Sequence, residues 1–170
     1  LNVEQYLGRW YQMYTDVSQN VTIFKGDSYC VTADYGLFPN GTVSVQNSAR
    51  LKSPTGALDQ ILGWAAVTDP SNPGALTVHL QGVPFGAPYV VGLLGPPVGP
   101  KNLYDFAVVS DPLNLSLFVL ARDPDTFRAK YNTAVLTYLK EQGFTNALNR
   151  PTPTMQGSQC EYVPIPPQSE

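Results

Sequence analysis

Chemically reactive side chains are scarce in this chain. Its 170 residues include one histidine, two cysteines and two methionines, and only 14% are charged. With His79 alone, a histidine-built metal or acid–base centre is not expected. Cys30 and Cys160 stand far apart and fit no metal or CxxC spacing. A net charge of −3 with no basic cluster argues against nucleic acid as a partner. No run of about 18 apolar residues occurs, so no helical membrane span is expected. Beginning at Leu1 without Met or an apolar signal core, the chain reads as a mature or trimmed product.

Turn formers are plentiful, with 14 glycines and 16 prolines, a balance that suits many short strands better than long helices. The length is expected to form one domain over residues 1–170, with a proline-rich tail (151–170) along its surface. Three sequons, Asn20-Val-Thr, Asn40-Gly-Thr and Asn114-Leu-Ser, fall in polar or turn-like stretches and are candidate glycosylation sites. Together with two cysteines able to form a disulfide, they favour a secreted, extracellular protein.

Several stretches alternate at period two. From Tyr29 to Tyr35 the odd positions are apolar or aromatic. The turn Pro39-Asn40-Gly41 then leads into a hairpin partner at 42–47. Further strands are expected at 59–67, 76–80, 89–94, 104–110 and 115–122. With the opening stretch around Trp10, which is apolar on both faces, there are eight. A single helix follows, with Asp123 as its cap, Pro124 at its first position and Gly143 beyond its end. Phe127, Tyr131, Val135 and Leu139 form its apolar stripe. Eight consecutive strands and one helix predict an all-β fold: an eight-stranded antiparallel up-and-down β-barrel with one C-terminal α-helix packed outside.

Gly8-Arg9-Trp10-Tyr11, the degraded second motif 104–109, and Arg122 ending the last strand before Asp123-Pro124 occur in order. Through these motifs the chain resembles the lipocalins, in particular the group of apolipoprotein D and the bacterial lipocalins. The stretch 40–47 and Ala87-Pro88-Tyr89 add to the likeness. The resemblance implies structural roles for Gly8, Trp10 and Arg122, with the indole closing the barrel floor under the guanidinium. It also implies a disulfide between Cys30 and Cys160.

Extending the inward strand register predicts the cavity wall. Its ligand-binding candidates are Tyr14, Tyr29, Ala33, Tyr35, Val45, Asn47, Ala65, Val78, Leu80, Tyr89, Val91, Tyr104, Phe106 and Phe118, with Val43, Gly63, Val67, Leu76, Leu93 and Val108 on the same register. This set carries no charge. It suits a fatty acid, steroid, retinoid, carotenoid or bilin-type pigment, held without covalent attachment and with no cofactor or metal required. His79, Leu62 and Trp64 fall on outward positions, and the last two are candidates for a homo-oligomer contact. Phe85, Leu113 and Leu115 sit in expected mouth loops and are candidates for touching a membrane or lipoprotein surface.

A non-enzymatic carrier is the expected function. Thiol catalysis needs a free cysteine, and the predicted interior has neither an inward histidine nor a carboxylate pair. The alternative is a docking module for a protein, membrane or lipoprotein surface, with any cavity ligand incidental.

Overall fold

The alternating stretches form strands, and the Gly-, Pro- and Asn-bearing turns separate them. The computed structural model describes residues 1–18, 24 and 27–167. In chain order the strands are β1 (Gly8–Thr15), β2 (Ser28–Leu37), β3 (Val43–Leu51), β4 (Ala57–Val67), β5 (Ala75–Leu80) and β6 (Ala87–Leu94). A small hairpin of β7 (Pro97–Val98) and β8 (Leu103–Tyr104) follows, and then come β9 (Phe106–Ser110) and β10 (Leu117–Ala121). Strands β1–β6, β9 and β10 each pair antiparallel with the next, and β10 returns to β1. The closed eight-stranded barrel therefore has no free edge apart from its short ends. An extra strand, β11 (Thr152–Pro153), adds to β1 from outside.

The C-terminal helix lies outside the barrel in two consecutive segments, α2 (Pro124–Lys130) and α3 (Asn132–Glu141), joined at Tyr131. Asp123 caps the first by accepting from the Thr126 N–H at 2.7 Å. Phe127, Val135 and Leu139 are buried against Phe106, Val108, Leu117, Val119 and Ala121. This layer explains why β9 and β10 are apolar on both faces: one face lines the barrel and the other lies under the helix. At the opposite end of the chain a helix not anticipated from the strand period, α1 (Val3–Tyr6), crosses the closed end. Asn2 caps it by accepting from the Glu4 and Gln5 N–H groups.

Three bulges interrupt the alternation. They lie between Gln12 and Tyr14 in β1, between Tyr29 and Thr32 in β2, and between Val91 and Leu93 in β6. Each inserts one residue, so the inward and outward sets exchange across it. In β2 the inserted residue is Cys30, at φ 58.

The segment after Arg150 is stitched to the outside of β1 and β2. Thr154 donates its N–H to Met13 O, and Cys30 donates its N–H to Met155 O. The Gln156 side-chain amide donates to both Gln12 O and Val31 O, beside two of the bulges. Cys30 and Cys160 are joined as a disulfide spanning 130 residues. Asp34, on the outward face of β2, is nevertheless buried, because Arg9 grips it with Nε–Oδ1 at 2.8 Å and Nη2–Oδ2 at 2.7 Å. The same guanidinium donates to Val163 O.

Removing one member of a buried, bidentate ion pair leaves the other charge without compensation. Arg9→Ala is therefore expected to cost about 3–5 kcal/mol in urea unfolding, with Arg9→Leu/Asp34→Leu recovering most of it. A loss under ~1 kcal/mol for Arg9→Ala would show that solvent reaches Asp34. Replacing both cysteines by alanine is expected to cost about 2–5 kcal/mol in the same assay, because the bond closes so long a loop.

Candidate ligand cavity

The barrel interior is not filled. A cavity of about 250 Å³ runs from the closed end toward the mouth. It approaches the lower end of the ~300–1,000 Å³ usual for small-molecule sites. Ala33 and Tyr35 of β2, Val43, Val45 and Asn47 of β3, and Ala65 of β4 form one wall. Leu76, Val78 and Leu80 of β5, Tyr89 of β6 and Phe118 of β10 form the other. Space on the fourth strand comes from Ala65, while Gly63 lets β5 approach closely, since a Cβ there would lie 2.2 Å from His79 O.

Five candidates do not line this cavity, and each departs for an identifiable reason. The β1 bulge turns Tyr14 outward, where its hydroxyl donates to Asn132 Oδ1 at 2.8 Å. The β2 bulge places Tyr29 opposite Arg50, outside the lining. Phe106, and Val108 with it, face the helix, since the strand starts after a bend at Asp105 and its inward residues are Ala107 and Val109. Tyr104 belongs to the separate β8 hairpin, and its hydroxyl accepts from the Asn2 N–H. Val91 points into the barrel opposite Val109 but packs in the solid core beyond the cavity wall. The bulge at Gly92 likewise turns Leu93 outward, against the helix layer.

Several lining residues were missed. Val31, Ile61 and Leu120 stand on inward registers that the alternation could have supplied. Tyr6 had no such signal, because it arrives on α1. It proves central: its hydroxyl is 2.6 Å from that of Tyr89, which is 3.1 Å from that of Tyr35. The Tyr6 and Tyr35 rings stack at 5.6 Å. Burial pushes the Tyr6 and Tyr89 hydroxyls well above the ordinary tyrosine range, and pushes Tyr35 up to about 12.

Below this cluster, Trp10 is completely buried and its indole N–H donates to Tyr6 O. The Arg122 guanidinium lies 3.6 Å above the indole ring and donates to Tyr104 O, Arg9 O and Gln5 O. Burial lowers its pKa to about 10. Gly8, at φ +94, lets the chain turn from α1 into β1 just beneath the Arg122 guanidinium. Among the described residues, no cluster of three or more His, Cys, Asp or Glu side chains comes together.

On the surface, Phe85 and Leu113 at the mouth are 79% and 75% exposed, and Leu115 is also exposed. Leu62 and Trp64 are exposed on the outer face of β4, where Trp64 stacks on His79 at 4.1 Å. Asn40 is exposed at the β2–β3 turn, its side-chain oxygen accepting from Thr42. Asn114 is half-buried and donates its side-chain N–H to Gln142 O. Asn20 lies outside the described residues.

A closed eight-stranded antiparallel barrel around an apolar cavity, with a helix on its outer wall, defines a small-molecule-binding class of β-barrel. The family model for a lipocalin-like domain matches residues 1–153, and the chain belongs to the lipocalin family. Apolipoprotein D of Rattus norvegicus is 32% identical over 88 residues, 52% of this chain and 43% of that protein. Apolipoprotein D of Oryctolagus cuniculus is 31% identical over 90 residues. The matches thus span less than half the length of these relatives. Lobster apocrustacyanin A1 has a similar fold, with TM-score 0.60 and 20% identity over 95% of this chain and 83% of that one. Japanin from Rhipicephalus appendiculatus, in a structure bound to cholesterol, superposes with TM-score 0.56 and 13% identity, covering 90% of this chain and 95% of that one.

The tyrosine cluster should make the fold sensitive to alkali. In the unfolded chain tyrosines ionise near pH 10, whereas Tyr35 holds its proton to about 12 and its two neighbours also titrate late. Their contribution is therefore complete below pH 10 and lost as pH rises through 12. Arg122 acts in the opposite sense, since the unfolded chain holds that proton more tightly, but it is one group against three. Denaturation midpoints are expected to fall above pH 10, with late-appearing tyrosinate absorbance, and Tyr35→Phe should flatten the slope. A midpoint unchanged up to pH 12 would contradict the burial of these hydroxyls.

Proposed function

We propose that this lipocalin binds one small hydrophobic molecule inside the barrel and carries or sequesters it, acting as a binder and not as a catalyst. The observation that carries this reading is the apolar cavity, whose lining includes no charged side chain among the described residues. Ligand binding would be driven by removal of apolar surface from water, about 25 cal/mol per Å². Steroids, retinoids, carotenoids, bilin-type pigments and fatty acids share that chemistry, and the cholesterol in the Japanin structure is one example of it. The Cys30–Cys160 disulfide supports an oxidising, extracellular setting, and exposed Asn40 is the glycosylation site best placed for modification.

A second reading rests on exposed Phe85, Leu113 and Leu115 beside the mouth. In it the protein docks on a membrane or lipoprotein surface and exchanges ligand there. Flotation with phosphatidylcholine vesicles would support it, provided that Phe85→Ser/Leu113→Ser abolishes the association. Exposed Leu62 and Trp64 would instead serve a homo-oligomer, to be read from the sedimentation of the Trp64→Ser variant.

Binding is best measured with diphenylhexatriene, a pure hydrocarbon that fluoresces on leaving water. Val45→Arg and Ala65→Phe both place bulk in the cavity. Each is expected to weaken uptake by about tenfold or more, ~1.4 kcal/mol. Circular dichroism identifies which variants keep the barrel. Unchanged uptake by a folded Ala65→Phe protein would mean that the dye binds elsewhere.

A further inference from the structure

The end of the cavity nearest Trp10 carries a cluster of phenol hydroxyls, and Gln12, Thr32, Asn47 and Ser116 are the other polar residues of the lining. Tyr6, Tyr35 and Tyr89 present three hydroxyls there, linked by two hydroxyl–hydroxyl contacts of 2.6 and 3.1 Å. Three phenols carry three protons, and two contacts use two of them. One O–H of the cluster therefore remains to donate to a cavity occupant, together with unused lone pairs able to accept. Buried polar groups of this kind gain from a partner, and all three residues line the cavity.

Charged side chains are absent from the same wall. Among the described residues no lining side chain is cationic. Arg122, the cation beside Trp10, does not line the cavity, and it donates to three backbone carbonyls. A carboxylate lodged there would lose its hydration and meet no cationic lining side chain, only the field of Arg122 that also reaches Tyr6 and Tyr35, whereas a hydroxyl or carbonyl would exchange water for phenol at little cost.

We infer that the cavity takes an uncharged apolar molecule bearing a hydroxyl or carbonyl, seated polar end down on the Tyr6–Tyr89–Tyr35 cluster, and discriminates against the matching carboxylate. This deepens the proposed function and rests on the cavity being the binding site. It narrows the ligand to sterol-, alcohol- or ketone-type molecules and sets fatty acids aside. It also fixes the polar group at the closed end, with the apolar body toward the mouth.

The test uses 1-dodecanol and dodecanoate, which share a chain length and differ in head group, displacing diphenylhexatriene from the full chain at neutral pH. Dodecanol is expected to compete at about tenfold lower concentration than dodecanoate, because the charged head finds no cationic lining side chain to offset its lost hydration. Tyr89→Phe removes the central hydroxyl and keeps the ring. It is expected to weaken dodecanol by about fivefold more than it weakens diphenylhexatriene. Tyr14→Phe, which alters a hydroxyl outside the barrel, should change neither. Dodecanoate binding as tightly as dodecanol would overturn the inference, as would a folded Tyr89→Phe protein with undiminished dodecanol affinity. Failure of the wild-type protein to take up diphenylhexatriene would sink the cavity reading itself, a result separable from lost head-group selectivity.

Discussion

The stack of Arg122 on Trp10 organises the closed end of the barrel. The guanidinium reaches Gln5 O, Arg9 O and Tyr104 O, so one side chain from the end of β10 ties together α1, β1 and the β8 hairpin. Its charge is buried at a cost visible in its depressed pKa. The cation–π contact at 3.6 Å and three carbonyl acceptors offset that cost. Lysine would keep the charge but lose both the flat stacking face and the fork of donors. With this end held shut, α1 is anchored and Tyr6 is delivered into the barrel.

Two hydrophobic layers share the same strands. The inner one contains Trp10, Tyr35, Val45, Ala65 and Val109; the outer one joins β9, β10 and the C-terminal helix through Phe106, Val119, Phe127 and Leu139. The outer layer and the bonded tail carry stability that a hollow barrel cannot obtain from its interior. A cavity forgoes contacts that a filled core would make. The Arg9–Asp34 pair and the disulfide secure the wall on the β1–β2 side, away from the helix.

The cavity's chemistry follows from this division. Ionisable side chains are directed outward or into pairs, as with Asp34, or to the closed end, as with Arg122. What remains inside is mostly hydrocarbon, with the phenol cluster and the polar residues Gln12, Thr32, Asn47 and Ser116, a surface whose side chains can select by shape and by hydrogen bonding. The absence of an inward histidine was legible early: His79 alternates with Val78 and Leu80, and it does lie outside against Trp64.

Much of the architecture was written in local patterns. The closed-end roles of Trp10 and Arg122 came from the family resemblance, whereas period-two alternation marked the strands and Asp123-Pro124 marked the helix start. Those signals are short-range, set by turn chemistry and by which face of one strand is oily. They also placed Ala33, Tyr35, Val45, Ala65, Val78 and Tyr89 on the cavity wall. They failed for Tyr14, Tyr29 and Leu93 because a bulge is a property of a strand pair: one residue has no opposite number, and the alternation changes sign beyond it. They failed for Phe106 because a run that is apolar on both faces contains no information about which face looks inward; the helix packed against β9 supplies it. The tyrosine cluster was beyond any local pattern, since Tyr6, Tyr35 and Tyr89 come from three separate elements. Only closure of the barrel and the fold-over of α1 bring their hydroxyls within bonding distance.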